Sequence, residues 1–228
     1  MSLERLAAER YLGAVTTSSS RPLRVATGDG RQWLLKLRST GHGVKALVAE
    51  VLASGLARAI GLDVPNLAVI RFEGPALEAV PGDELREAAE ASRGDVLGVA
   101  WLPGAWVARP NDLSLIPRPT QARIAWLDAF VENMDRTPKN PNLLCWKDRV
   151  WLIDHGIAFP FHFPEPPDLS TSPLALRPDH LFADALGEFD GTPLVTDALI
   201  EKIVADVPRE WMTDPAIYIA WMKTRLGR

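Results

Sequence analysis

The chain has 228 residues, 25 basic against 29 acidic side chains and a formal net charge of −4, so no overall field favours nucleic acid and no block of like charge forms an interaction tail. With 47% hydrophobic and 24% charged residues it has the make-up of a globular protein of one compact unit with two lobes, too apolar to stay disordered. The single cysteine, Cys145, excludes an internal disulfide and a thiolate metal cluster, fits a reducing compartment and reads as a buried hydrophobe. The start, MSLERLAAERYLGAV, carries charges every few residues, and no stretch approaches the ~18 uninterrupted apolar residues of a membrane span. A cytoplasmic protein with neither a membrane nor a nucleic-acid partner is expected.

Residues 14–37 read as strands broken by polar turns, with a hairpin signal at Gly28-Asp29-Gly30 and an apolar strand from Trp33 to Leu37. A helix follows, in which Leu47, Val51, Leu52, Leu56 and Ile60 recur near helical period until Gly61 and Pro65 stop it. NLAVIRF (66–72) and VLGVAWL (96–102) are further strands, separated by a polar Ala/Glu-rich segment from Gly82 to Gly94. About five strands then form a small antiparallel sheet, and Pro103-Gly104 marks a turn and hinge, which sets a boundary near Leu102.

Beyond it the patterns lengthen. TQARIAWLDAFVENMD puts Ile124, Leu127, Val131 and Met134 on one face, with Thr120 as N-cap, and so predicts a buried helix. NLLCW and VWLID flank a charged KDR turn as a hairpin that ends on Asp154-His155-Gly156. Residues 160–178 form a proline-rich loop packed by Phe161 and Phe163, and 179–187 and 193–226 read as helical. The fold class is α+β, with an antiparallel-sheet N-terminal lobe (1–102) and a mainly helical C-terminal lobe (103–228) carrying a loop and hairpin at 133–156. The eight tryptophans follow apolar periodicity and belong to the core and lobe interface. His155 shapes the turn beside Asp154, because the four histidines show no metal-ligand spacing.

The chemistry lies in one order of parts: a buried helix, Asp135, an Asn before two leucines, a hairpin, then Asp154-His155-Gly156. A carboxylate can accept or orient a nucleophile's proton, and a further carboxylate with an amide oxygen offers hard ligands for Mg²⁺ beside phosphate oxygens. In protein kinases this order surrounds the transferred phosphoryl group. Together WLLKL (33–37), LVAEVLASGLARAIGLDVP (47–65), NMDRTPKNPNLL (133–144) and WLIDHG (151–156) make the chain resemble the HipA-like kinases, in particular the shorter bacterial ones, and more distantly the phosphoinositide 3-kinases.

That resemblance implies the two-lobed protein-kinase-like fold, with ATP and Mg²⁺ as cofactors and a γ-phosphoryl group moved to the hydroxyl of a protein Ser/Thr; a small alcohol, a catalytically inactive nucleotide-binding module and nucleotidyl transfer are the rivals. It makes Asp135 the catalytic aspartate and Asp154 the metal ligand. Lys36 contacts the phosphates with Glu50 as ion-pair partner, and the adenine lies between lobes against Val99, Ala100, Trp101 and Leu102. The amide ligand is Asn140, which has the five-residue offset from Asp135, or Asn142, which has the two leucines after it; spacing puts Asn140 slightly ahead. No G-x-G-x-x-G precedes Lys36. In its place GAVTTSSSRP offers Ser18, Ser19 and Ser20 and their backbone N–H groups to phosphates. The chain is shorter than full-length HipA toxins, so their antitoxin-bound role does not carry over.

Overall fold

The computed structural model describes residues 3–15 and 22–228. It divides into two compact units, Met1–Leu47 with Pro65–Pro103 and Val48–Val64 with Gly104–Arg228.

Five strands build the first unit: β1 (Glu4–Ala14), β2 (Leu23–Thr27), β3 (Gln32–Lys36), β4 (Leu67–Phe72) and β5 (Gly94–Ala100). They close into a barrel in the order β1-β2-β3-β5-β4. The expected all-antiparallel sheet is therefore corrected: β1 and β4 pair in parallel, Leu6 opposite Ile70. Strands so far apart in sequence can pair this way because a long crossover separates them. The β2–β3 hairpin turns at the predicted glycines; Gly30 has φ +80°, and Asp29 Oδ1 accepts from the Thr27 hydroxyl at 2.7 Å and the Arg31 N–H at 3.0 Å.

Inside the barrel Leu23, Val25, Trp33, Leu35, Ile70, Phe72 and Val96 form an apolar core. Gly98 is required by close packing, since a Cβ there would stand 2.5 Å from Ile70 Cγ1. Two helices cover residues with no helical expectation, α2 (Gly74–Glu78) and α3 (Asp83–Ala91); Leu77 and Ala89 are the buried contacts that seat them.

Helix α1 (Gly43–Ala59) belongs from Val48 onward to the second unit, where Val48, Ala49, Leu52, Ala53 and Leu56 are fully buried, as in a helix surrounded by protein. Gly55 lets α6 (Asp197–Asp206) approach, as its added Cβ would meet Ile203 at 2.8 Å. A three-stranded sheet runs β6 (Trp106–Val107), β7 (Leu143–Trp146), β8 (Arg149–Leu152). The predicted hairpin turns on Lys147 and Asp148 alone, both at positive φ, the two-residue geometry that matches strand twist; Arg149 is already strand.

Between these strands lie α4 (Pro110–Leu113) and α5 (Arg118–Val131). Pro117, and not Thr120, occupies the N-cap of α5, with Pro119 inside the first turn, where a missing N–H costs nothing. The helix stops at Glu132, φ +54°, so Met134 leaves the buried face and is 50% exposed. The carbonyls left open at that end are collected by one side chain of α7 (Pro215–Arg225): Arg225 donates to Ala129 O, Phe130 O and the Glu132 carboxylate. Residues 179–187 hold only a short 3₁₀ turn, Ala183–Ala185, and 193–226 contain two helices joined by a 3₁₀ turn at Arg209–Trp211. Phe161 stacks on Trp221 at 4.8 Å. Among the described residues no helix is long and apolar enough to cross a membrane.

Candidate active site

The segment between α5 and the end of β8 leaves regular structure at once, and buried polar groups fix its path. Asp128, in the last turns of α5, is fully buried. Its Oδ1 accepts from Asn133 Nδ2 at 2.9 Å, and its Oδ2 from Arg136 Nε at 2.5 Å and His180 Nε2 at 2.9 Å. Phe182 N–H donates to His180 Nδ1 at 3.1 Å, so Nε2 carries the proton that His180 gives Asp128. Burial alone would raise the Asp128 carboxyl, but the Arg136 charge and the bonds from His180 and Arg136 hold it below the usual carboxylate range.

Arg136 passes this anchoring onward. Its Nη1 donates to Asn142 O at 2.6 Å and to Pro141 O at 3.2 Å. Ile153 N–H donates to the same Asn142 carbonyl at 3.1 Å, which ties the loop to the residue before Asp154. Asn142 is buried and held at φ +49°, and Asp154 at φ +61°; such backbone persists only where its surroundings over-determine it.

The three loop candidates meet at one oxygen. Asp135 Oδ2 accepts from Asn140 Nδ2 at 2.8 Å and from Asn142 Nδ2 at 3.1 Å. Each amide that donates through nitrogen keeps its Oδ1 as an acceptor. Asp135 is half-buried and Asn140 exposed. With the Asp154 carboxylate the available ligands are all oxygens, which suits a hard divalent cation. Among the described residues no group of three or more His, Cys, Asp or Glu cages a metal, so a cation here would complete its shell with phosphate and water oxygens, as Mg²⁺ does.

Glu50, 2% exposed on α1, receives the backbone N–H of His155 at 2.8 Å and lies 3.3 Å from its ring Nδ1. His155 is thus buried beside Asp154 and braces the turn against α1. Lys36 sits half-buried on β3, opposite Leu97. Val99 pairs with Leu34 and Leu67, and Leu102 is buried. Ala100 N–H and Trp101 N–H donate to Asn66 O at 2.8 Å and Gln32 O at 2.9 Å, so these two donors already serve the barrel; the Trp101 ring lies 5.0 Å beneath the Arg24 guanidinium. Ser18, Ser19 and Ser20 fall outside the described residues. Cys145 is half-buried and not a core residue: β7 leaves it facing a cavity.

Sequence reasoning missed Asp128, His180 and the part played by Arg136. A charged residue in the apolar run WLDAF was the available signal for Asp128, because a buried carboxylate needs partners; nothing in the sequence points to His180 as one of them.

A mixed α/β chain with this loop between a buried helix and a tight hairpin has the fold of kinases. The Helicobacter pylori proinflammatory kinase CtkA is similar to it with a TM-score of 0.53 and 12% identity, over 90% of this chain and 88% of that chain. The Golgi casein kinase is similar with a TM-score of 0.54 and 14% identity, over 98% of this chain and 72% of that one; the same kinase with Mn and ADP bound gives 0.54 and 13%, over 98% and 71%. At such identities the likeness is one of fold. No curated protein matches in sequence. A family model described as HipA-like kinase matches residues 10–226, and the chain belongs to that family. It is an ATP-dependent kinase, a phosphotransferase.

Proposed function

We propose that the chain moves the γ-phosphoryl group of ATP to the Ser or Thr hydroxyl of a protein, in the cytoplasm, from a two-lobed fold with lobes at 1–102 and 103–228. Asp135 is the residue that orients the acceptor hydroxyl and takes its proton. The observation that carries this reading is the convergence of Asn140 and Asn142 on Asp135 Oδ2, at 2.8 and 3.1 Å: a carboxylate oxygen fixed by two amides keeps its other oxygen aimed for a proton acceptor's work.

Asp154 and the Oδ1 of Asn142 hold Mg²⁺, which neutralises charge on the β- and γ-phosphates when bound. Asn142 is preferred to Asn140 because it is buried and its backbone carbonyl accepts from both Arg136 and Ile153, so the backbone that carries its amide is held in place before anything binds. Asn140 then positions Asp135. Lys36 steadies the phosphates, with Glu50 as its ion-pair partner in addition to bracing His155, and the stretch Val99 to Leu102 borders the adenine. Ser18 to Ser20, outside the described residues, are carried as phosphate-contacting residues on the family resemblance alone.

The test is single-turnover transfer from γ-labelled ATP into a cell lysate, with label separated into protein and small-molecule fractions. Asp135→Asn keeps the shape and both amide contacts, and is expected to slow transfer about 10²- to 10⁴-fold while nucleotide still binds. Wild-type rates in that variant would remove Asp135 from its role, and label confined to small molecules would overturn the protein acceptor.

A further inference from the structure

In the second unit, apart from the loop that carries Asp135, lies a cavity of about 350 Å³, within the range of sites that bind ligands. The apolar part of its lining is Leu62, Trp106, Leu115, Ile116 and Val150. Trp106 is 48% exposed and Leu115 79%, so the apolar surface continues out of the cavity. β6, which supplies Trp106, stands at the edge of the three-stranded sheet and, among the described residues, pairs only with β7. Its backbone can therefore accept one more extended strand.

The charge lining this cavity is net negative, three aspartates (Asp63, Asp112 and Asp148) against Arg149. Arg149 is satisfied by Asp63 at 2.8 Å, and Lys147, at the hairpin tip, lies over the Trp146 ring at 4.3 Å. Asp112 and Asp148 also line the cavity, and neither has a cationic side chain as ion-pair partner among the described residues. Asp112 is held in place, its Oδ2 accepting from Arg109 N–H at 2.9 Å and Trp106 Nε1 at 3.4 Å. Its field reaches the cavity wall: the thiol of Cys145 is pushed up by burial and, after that, by the charge of Asp112.

We propose that this groove docks an extended segment of the protein acceptor, with apolar side chains seated between Trp106 and Leu115 and basic side chains meeting Asp112 and Asp148. The proposal rests on the reading of the acceptor as a protein. Edge-strand pairing supplies affinity, the apolar seats supply selection by side chain, and the two carboxylates favour basic over acidic segments.

Cys145 makes the groove directly testable, since it is the chain's single cysteine and lines the cavity. The rate of its alkylation by monobromobimane is measured on the full chain, without nucleotide, in the presence of an acetylated decapeptide bearing two lysines followed by alternating leucines. The same peptide with glutamates for lysines is the control. Saturable protection by the lysine peptide is expected, with a half-saturating concentration raised about fivefold by D112N/D148N or by 0.5 M NaCl, as for two rim charges. L115S alters only an exposed side chain and is expected to weaken protection with the fold intact by circular dichroism. Absence of protection, equal protection by the glutamate peptide, or a midpoint indifferent to D112N/D148N would overturn the groove. Because no phosphoryl transfer enters this assay, Asp135→Asn is expected to leave it unchanged, and a failed acceptor assignment shows up only as label missing from protein.

Discussion

The barrel and the segment from the end of α5 to Phe159 solve opposite problems. In the barrel the backbone is satisfied strand to strand and the interior is apolar, so stability comes from area removed from water. Every described non-glycine residue with positive φ lies instead between 132 and 159: Glu132, Asn142, Lys147, Asp148, Asp154 and Phe159. That segment spends backbone energy to aim side chains, and it recovers the cost through buried charged hydrogen bonds in place of ladders. The lesson is that the site's precision lives in Asp128, Arg136 and His180, which touch no reacting atom themselves.

The largest way to break this contrast is Arg136→Met. Both Arg136 and Asp128 have fully buried side chains, and removing the cation leaves a carboxylate with, among the described residues, only His180 and Asn133 to satisfy it. A loss of about 3–5 kcal/mol in urea unfolding is expected, with transfer activity falling further than stability explains, because Pro141 O loses the Arg136 donor and Asn142 O is left with Ile153 N–H. A fully stable, fully active R136M would show that the loop is self-supporting. The matching test of the barrel is smaller. Gly98→Ala places a methyl 2.5 Å from Ile70 Cγ1 and 3.4 Å from the Trp33 ring, and overpacking of this kind costs about 1–3 kcal/mol. A companion I70V, which opens space at the clash, is expected to return part of that loss in the same unfolding curves.

The same contrast explains what was legible in the sequence. Elements that bury an apolar face announced themselves: β3, β4, β5, α1, α5 and the β7–β8 hairpin follow period 2 or 3.6, and the loop residues Asp135, Asn140 and Asn142 could be picked out by type and order. β1 did not, since of its eleven residues only Ala8 is buried; charges every few residues hid a strand whose pairing closes the barrel. α3 is Ala/Glu-rich and short, with a Gly at its N-cap, so its pattern was that of a polar linker. Met134 fitted the face of α5 only if the helix continued, and the left-handed turn at Glu132 is a tertiary decision fixed by Arg225. The partners of Asp128 are 5, 8 and 52 residues away, and no local period encodes such pairings.

The smallest effect is the most discriminating about charge. Asp29 on the β2–β3 turn, like Asp128, is held below the usual carboxylate range by an arginine, here Arg31, with help from Thr27 and the Arg31 N–H. A carboxyl depressed in the folded state adds stability above its unfolded pKa and loses it as pH falls toward the folded value, so both groups push acid unfolding in the same direction. They differ in solvent. Arg31 and Asp29 lie in water, 45% and 39% exposed, where counter-ions screen the pair, whereas Asp128 and Arg136 are sealed. Arg31→Gln is therefore expected to return the Asp29 carboxyl toward its ordinary range by NMR titration while the melting temperature stays within experimental error. The acid-unfolding midpoint of the wild type is expected to hold its place between low salt and 0.5 M NaCl. A midpoint that moved with salt and with R31Q would assign the acid limb to the turn and not to the network behind Asp135.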